Sequence, residues 1–407
     1  MTFMQRAVIL VAALSPTYLI RFKIFGIPST VFELCIIGLC VGTLFAARDK
    51  NIRREYFEKI RAIPKSLIAL SVLFFLAGTL SVFVAPNLVS AVGIWRAYIL
   101  EAMVVGFIAW LHIKSFVEFR ALALALSIAA AIAAGYAIVQ KFTGWGIPNP
   151  FWQAAATRRV TSFFGYPNGI ALYLEIIIPF LTAGFLLAEK KLIRLWYVFV
   201  TIAALLAILF AESSGAFAAL ALTAGAALIV WKKTRWWAVG AGIICAAAII
   251  LSPMRKPFQD EFLLQGFSGK LRTQMWSETL TMLKPRWIQG AGLTGYQERV
   301  APYHVFKWAE IYLYPHNLVL TLWSEFGMLG LISFGYIFGL LGFWMTRSLK
   351  SRDFEVRVWS GALLAMLGII FIHGLVDIPY FRNDLAAFFW VCVALVLQIR
   401  YTSISTK

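Results

Sequence analysis

Apolar runs close to the length of a membrane crossing recur along the whole chain, with short polar segments between them. A helix needs about 20 apolar residues to cross about 30 Å of hydrocarbon. The run at 7–20 has no small-residue cleavage site and continues into a second span, so we interpret it as a first helix. The pattern predicts twelve spans, near 7–20, 31–47, 66–84, 88–111, 120–140, 168–188, 195–211, 215–231, 236–252, 318–346, 358–375 and 384–400.

One connection is much longer than the others. Residues 253–315 separate the ninth and tenth predicted spans, and connections of this length are usually functional. Within this loop we expect a short helix from Trp276 to Leu283 and a turn from Gly290 to Gly295. The prediction is therefore one all-α polytopic membrane domain over residues 1–407, with 253–315 as a large loop inside it.

Composition agrees with a membrane protein. The chain is 61% hydrophobic and 14% charged, with a mean hydropathy of +0.80, whereas soluble domains are about 45–50% apolar and about 25% charged. A net charge of +18 would suggest a nucleic-acid partner in a soluble protein. Here the positive residues flank spans, so we expect membrane lipids as partners and no nucleic acid.

The distribution of Lys and Arg predicts the orientation. Segments on one side of the predicted spans, with the N-terminus, carry 22 of these residues, and the short segments on the other side carry 6. Positive residues favour the cytoplasm, so both termini are expected there. The 253–315 loop then lies outside, and its own basic residues do not alter this because long translocated loops follow the charge rule weakly.

Cysteine and histidine positions predict neither a disulfide framework nor a metal site. All four cysteines fall inside apolar runs, and the histidines lack a spacing typical of metal ligands. These residues are Cys35, Cys40, Cys245 and Cys392, and His112, His304, His316 and His373. We expect no cofactor.

With this topology, polar residues from distant segments meet at the outer face. They are Arg158, Arg159, Asn168, Arg272, His316, Asn317, Glu325, His373 and Asp377. Ionisable groups near or inside spans are costly and usually functional. Arginines bind phosphate oxygens through two parallel hydrogen bonds, and a histidine beside them is a candidate general base. This combination suits a phosphorylated lipid donor and a hydroxyl acceptor.

Each of these residues also has a structural interpretation. Arg158 and Arg159 also fit interface anchors with lipid headgroups as partners, and Arg272 also fits a solvated loop charge. Either His316 or Asn317 can cap the tenth span. His373 and Asp377, four residues apart, can satisfy each other at a helix end.

Four stretches, in order, resemble the bacterial O-antigen ligase and O-antigen polymerase superfamily. They are RVTSFFGYPNGIALYL from Arg159, LRTQMWSETLTMLKPRWIQGAGLTGY around Arg272, HNLVLTLWSEFGMLGL from His316, and HGLVDIP with His373 and Asp377. Together they cover about residues 155–385. One position departs from the family's pattern: Ser213-Ser214-Gly215 stands where the family often has Ser-Arg-Gly. The contact of that arginine with the donor phosphate is therefore left open here, or is shifted to Arg158.

The resemblance implies a GT-C-like, inverting and metal-independent glycosyltransferase of the bacterial cytoplasmic membrane, with its site on the extracytoplasmic side. The donor would be a glycan linked to undecaprenyl diphosphate. Arg159 and Arg272, with Arg158 as a further candidate, would hold the diphosphate, and His316 would deprotonate the acceptor. Asp377 would orient the site or bind the acceptor, as would Asn317, Glu325 and His373.

The acceptor stays open: lipid A core, as in an O-antigen ligase, a growing polysaccharide, as in a polymerase, or a protein serine, as in an O-oligosaccharyltransferase. A twelve-span transporter or lipid-glycan flippase is the main alternative from another class, although the long loop is not central and no internal repeat is evident. A peptidoglycan polymerase is a third interpretation, and it would depend on an acidic residue in the loop.

Overall fold

The structure, a computed structural model, describes residues 1–230, 235–236, 239–240, 260 and 263–405. The first half of the chain forms α1 (Phe3–Ala13), β1 (Arg21–Ile24), β2 (Ile27–Thr30), α2 (Val31–Ala46), α3 (Lys50–Ala62), α4 (Lys65–Val84), α5 (Leu88–Trp95), α6 (Glu101–His112), α7 (Phe116–Thr143), α8 (Pro150–Gln153) and α9 (Pro167–Leu187). The rest forms α10 (Lys191–Phe210), α11 (Ser214–Val230), α12 (Phe267–Leu283), α13 (Tyr296–Val300), α14 (Leu318–Ser348), α15 (Phe354–Gly374) and α16 (Asn383–Ser405).

The predicted membrane architecture is confirmed in its coarse form. Among the described residues, eight helical spans are long and apolar enough to cross a membrane, and the pair α2 and α3, bent by 114°, brings the number to nine if it counts as one span. One of the eight joins α5 and α6 through a π-helical turn at Arg96–Leu100. The predicted span at 236–252 lies almost wholly outside the described residues. Twelve spans and their orientation stay predictions.

Three local details differ from the sequence-based prediction. The first apolar run forms α1 followed by a 3-10 turn at Ser15–Leu19, because Pro16 lacks the amide that would continue the helix. Residues 21–30 form an antiparallel hairpin rather than a simple loop. In the large loop, α12 begins nine residues before the predicted Trp276 and includes Arg272, whereas the predicted turn at Gly290–Gly295 is present.

Helix ends are specified locally. Ser115 and Glu118 form a capping box at the start of α7, which ends at Gly144 in the left-handed conformation. Asp353 caps α15 by accepting the amide of Glu355. Asn317 caps α14, since its side chain accepts the amide of Leu320 at 3.0 Å. These caps satisfy amides that helix ends leave without intrahelical partners.

The helices pack around α9 and α16, the two most deeply buried of the candidate spans. Helix α16 packs against α6, α14 packs against α4, and α9 packs against α10 and α15. At one end of the bundle, Lys59 donates to the carbonyl oxygens of Trp110 and Ile113, and Arg120 pairs with Glu355. We call this the basic end. The connections at 85–87, 144–166, 211–213, 264–317 and 375–382 form the other end, which we call the site end.

Helix α14 is broken near its start. Gly327 has φ 67° and ψ −173°, a conformation open essentially only to glycine. The break frees backbone groups of α14, and residues 287–294 supply the missing partners. We call residues 287–294 the docked turn. Its hydrogen bonds include Ala291 N–H to the Ser324 carbonyl at 2.6 Å and the Ile288 carbonyl accepting from Met328 N–H at 2.9 Å.

Replacing Gly327 by Ala should destabilise the protein and loosen the docked turn. A Cβ there would overlap the carbonyl oxygen of Ile288, and the backbone would be strained as well. We expect a loss of at least about 2 kcal/mol, measured as a lower thermal unfolding midpoint of the purified protein.

Gly339→Ala in the same helix is the matched control, because a Cβ at Gly339 meets no neighbour within 4 Å. It should leave the midpoint unchanged or raise it slightly, since alanine favours helix. Equal midpoints for the two variants would contradict the role given to the break.

Candidate active site

His316 and Asp377 form the centre of the site end. Nδ1 of His316 lies 3.3 Å from Oδ1 of Asp377, and the two side chains are 26% and 2% exposed. His316 precedes Asn317, the cap of α14, and has φ 47°, a left-handed conformation that is uncommon for a residue with a side chain. Since Asn317 caps the helix, His316 is not needed as a cap. A strained histidine on a buried carboxylate is typical of a functional position.

The protonation of this pair follows from its geometry. Burial alone would raise the pKa of Asp377, but the hydrogen bond and the charge of His316 outweigh it and hold that pKa well below its ordinary value. An ionised carboxylate only accepts hydrogen bonds. The proton of a neutral His316 is therefore on Nδ1, and its Nε2 carries a lone pair available to take a proton.

The other oxygen of Asp377 is fixed from α9. Nδ2 of Asn168 donates to Oδ2 of Asp377 at 2.6 Å, and the amide of Ile378 donates to Oδ1 at 2.9 Å. Asn168 is the second residue of α9, which Pro167 opens at a position where its missing amide costs nothing. The sequence analysis placed Asn168 at this face, and the structure brings it into direct contact with Asp377.

Arg272 acts electrostatically on Asp377, and Arg159 lies near Arg272. Arg159 donates from Nε to the carbonyl oxygen of Ala211 at 2.9 Å, and Oε2 of Glu212 is 3.8 Å away. Burial lowers the pKa of Arg159, and the positive charge of Arg272 lowers it further. Two guanidinium groups held close enough to repel each other suit an anion between them.

Arg272 lies on α12 and is half-buried. No hydrogen bond or ion pair joins it to another residue within the described parts of the chain. Its helix is held over His316, because Nε1 of Trp276 donates to the carbonyl oxygen of Pro315 at 3.0 Å. The ring of Tyr312 packs edge-on against His316 with centroids 5.2 Å apart. Arg272 is thus presented to the site without a hydrogen-bond partner among the described residues.

The guanidinium of Arg158 makes different contacts from that of Arg159. Its Nη1 donates to the carbonyl oxygens of Lys141 and Phe142 at 3.2 Å, at the C-terminal end of α7. Its Nε donates to the carbonyl oxygen of Gln153 at 3.0 Å. These contacts occupy the guanidinium in joining α7 to the 144–157 connection. Its predicted role as a diphosphate ligand stays a prediction without a supporting contact.

Asn317 and Glu325 are also away from the reacting position. Nδ2 of Asn317 donates to the Leu375 carbonyl at 2.9 Å and ties α14 to the end of α15. Glu325 is fully buried, and its Oε2 accepts the amide of Thr294 at 2.7 Å. Its own carbonyl oxygen accepts from the hydroxyl of Ser81. Glu325 therefore fastens the docked turn to α14 and α4, and no hydrogen bond to His316 accompanies these contacts in the described structure.

His373 is 1% exposed, so it cannot reach a substrate directly. Its Nδ1 lies 2.7 Å from Oε1 of Glu175, and its Nε2 lies 4.0 Å from Oδ2 of Asp377. The expected mutual contact of His373 and Asp377 is thus long, and Glu175 is the closer partner.

Sequence reasoning did not assign Glu175, nor Gln140, which fixes the backbone beside Arg159. Oε1 of Gln140 accepts the amides of Thr161 at 3.0 Å and Ser162 at 2.7 Å. Glu175 and Gln140 are each a polar residue inside an apolar run, and that position was the sequence signal that could have identified them. Among the described residues, no group of three His, Cys, Asp or Glu side chains is arranged to hold a metal ion.

The family model described as O-Antigen ligase matches residues 199–335. This range includes the second half of α10, all of α11, the docked turn, Arg272, His316 and Glu325. A search of curated protein sequences found no match to the chain. The family match confirms the resemblance to the O-antigen ligase superfamily that the four motifs indicated.

One pH-dependent contact holds the large loop together. Nδ1 of His304 lies 3.1 Å from Oε2 of Glu278 on α12, and this hydrogen bond raises the pKa of His304 above its ordinary value. A raised folded pKa means that the contact stabilises the protein fully below the unfolded pKa, about 6.5, and less as the pH rises through the folded value. His304→Gln should therefore lower the thermal unfolding midpoint by about 2 °C near pH 6.

Near pH 9 the midpoints of His304→Gln and the unmodified protein should converge. Lys270→Gln, which removes an exposed charge from the same loop, should show no such convergence. A His304→Gln deficit that stays constant across this range would contradict a contact that depends on the histidine's charge.

Proposed function

We propose that this chain is a glycosyltransferase that moves a glycan from an undecaprenyl-diphosphate-linked donor to a hydroxyl acceptor. The observation that carries the proposal is the His316–Asp377 pair, whose free Nε2 lies at the site end with Arg159 and Arg272. The family match supports the same class of reaction. We further propose that the site end faces the outer side of the bacterial cytoplasmic membrane, where lipid-linked glycans are presented.

In the proposed step, Nε2 of His316 takes the proton of the acceptor hydroxyl. The acceptor oxygen attacks the anomeric carbon, and the bond between that carbon and the diphosphate oxygen breaks. The electron pair of that bond leaves with undecaprenyl diphosphate. A single displacement inverts the anomeric carbon. Asp377 stabilises the imidazolium that forms, as the carboxylate does in a catalytic triad.

The two arginines have the complementary task. A diphosphate leaving group gains negative charge in the transition state, and fixed positive groups stabilise that charge without reorganising. In the part of the chain that the structure describes, the guanidinium of Arg272 has no hydrogen-bond partner. Nε and Nη2 of Arg159 donate to backbone carbonyl oxygens, and its Nη1 makes no such contact there. In this proposal they bind the diphosphate, and their charge removes the need for a metal ion.

The acceptor is the open part of the proposal. An O-antigen ligase transfers to lipid A core sugar, whereas a polymerase extends a polysaccharide and a protein O-oligosaccharyltransferase modifies serine. The His316–Asp377 pair would serve all three, because each acceptor presents a hydroxyl. We favour the ligase assignment, which matches the description of the family model.

A transporter is the second candidate, and one observation favours it. Secondary transporters use broken spans with buried acids, and α14 is broken at Gly327 beside the buried Glu325. In this chain, however, the docked turn fills the break with hydrogen bonds. An assay for glycan transfer separates the candidates, because a transporter forms no glycosidic bond.

His316→Asn should abolish transfer. Asparagine tolerates the left-handed backbone at this position, so the variant removes the base without adding strain. We expect a loss of at least about 100-fold in kcat, with donor binding retained. The measurement uses purified protein in nanodiscs, a lipid-linked donor, and lipid A core, polysaccharide and peptide acceptors supplied one at a time, with products identified by mass spectrometry.

The matched control is His112→Asn, which changes a histidine at the basic end that contacts Thr43 and Tyr56. It should keep its transfer activity. Transfer by His316→Asn at more than half the unmodified rate would remove His316 from the mechanism.

Arg272→Lys should raise KM for the donor by about tenfold, because an ammonium keeps the charge but cannot form the two parallel hydrogen bonds of a guanidinium. Arg286→Lys, a change of the same kind elsewhere on the loop, is the control and should leave KM unchanged. An Arg272→Lys variant with the donor KM of the unmodified protein would show that only charge is needed at this position.

A further inference from the structure

A second histidine–carboxylate pair lies beneath the first. Glu175, in the third turn of α9, is fully buried, and His373 near the end of α15 is 1% exposed. Both carboxylate oxygens of Glu175 lie within hydrogen-bond distance of Nδ1 of His373, at 2.7 and 2.8 Å. Burying two ionisable groups together is costly unless their geometry is good. Pairs of this kind are kept where they serve a purpose beyond stability.

The buried pair approaches the carboxylate that contacts the candidate base. Nε2 of His373 lies 4.0 Å from Oδ2 of Asp377, on the carboxylate whose other oxygen contacts His316. The amide of Asp377 donates to the carbonyl oxygen of His373 at 2.9 Å. Four ionisable side chains therefore follow one another from the interior of α9 to the site end, in the order Glu175, His373, Asp377 and His316.

We propose that Glu175 and His373 are positioning residues for His316: they hold Oδ2 of Asp377 so that Oδ1 keeps Nδ1 of His316 protonated and Nε2 free. This inference rests on the proposed function in its choice of His316 as the base. It goes beyond that function because it assigns a role to Glu175 and His373, which are too deeply buried to contact a substrate.

The packing around His373 agrees with this assignment. A Cβ at Gly215 would lie 2.7 Å from Nε2 of His373, so the absence of a side chain there lets α11 approach the ring. The charged groups that act on His373 are Glu175 from α9, Asp377 from its own connection and Arg272 from α12. The imidazole therefore has a carboxylate on each side, with Glu175 at hydrogen-bond distance and Asp377 4.0 Å away.

The alternative is a polar contact that only joins α9 to α15. Glu175→Gln distinguishes the two, because the amide oxygen still accepts a hydrogen bond from His373 at the same length while the charge is lost. A purely structural contact should tolerate this change. Glu101→Gln is the matched control, since Glu101 is also buried but pairs with Arg96 on another side of the bundle.

The first readout is the tautomer of His316, which needs no transfer activity. Protein with ¹⁵N-labelled histidine is studied in nanodiscs under alkaline conditions, and the signal of His316 is assigned by comparison with His316→Asn. The unmodified protein and Glu101→Gln should show the Nδ1–H form. Glu175→Gln should move the tautomer ratio towards Nε2–H by about tenfold.

The second readout is transfer activity. Glu175→Gln should lower kcat by about tenfold with little change in the acceptor or donor KM, because binding groups are untouched. His373→Gln should behave in the same way. It replaces Glu175→Gln in both measurements if Glu175→Gln does not give a monodisperse preparation. An unchanged tautomer together with unchanged kcat in either folded variant would overturn the inference.

The two proposals fail separately. If the unmodified protein forms no glycosidic bond with any acceptor, the proposed function is wrong, while the tautomer measurement still tests the positioning of His316. If transfer occurs and His316→Asn abolishes it, but folded Glu175→Gln or His373→Gln keeps both the full rate and the unmodified tautomer of His316, only the positioning role is wrong.

Discussion

The buried carboxylate of Asp377 is the group on which the site depends. A carboxylate that is 2% exposed must find partners for its oxygens inside the protein, and each partner comes from a different segment. Asn168 comes from the start of α9, His316 from the turn before α14, and His373 from the end of α15. Satisfying one charge therefore brings three helix ends together, and it leaves one nitrogen of His316 for chemistry.

The break in α14 supplies the second half of the site. A continuous helix would satisfy its own backbone and leave the loop without an attachment. Because Gly327 interrupts the ladder, the docked turn bonds to α14, and Glu325 and Ser81 secure it. The chain before the docked turn is α12, which carries Arg272 and contacts Pro315 next to His316. The break at Gly327 thus helps to hold α12, which carries Arg272, against the segment that contains His316.

Sequence reasoning predicted the membrane class, which the apolar helices confirm in its coarse form, and this worked because apolar run length is a local signal. It also predicted that distant polar residues meet, and His316, Asp377 and Asn168 do so. The roles given to His316, Asp377, Arg159 and Arg272 stay predictions. Sequence reasoning could not separate Arg158 from Arg159, since adjacent arginines differ only in where the backbone directs them. It also could not pair Glu175 with His373, which are 198 positions apart, because hydropathy reports that a charge is buried but not which partner it meets.

The central claim is that Asp377 acts through His316, and a double-mutant cycle on glycan transfer tests it most directly. Asp377→Asn, His316→Asn and the double variant are compared with the unmodified protein by kcat in one nanodisc preparation. Residues that act as one unit are strongly non-additive. The account predicts that Asp377→Asn lowers kcat substantially alone and causes no further loss once His316 is replaced. Losses that multiply in the double variant would contradict it.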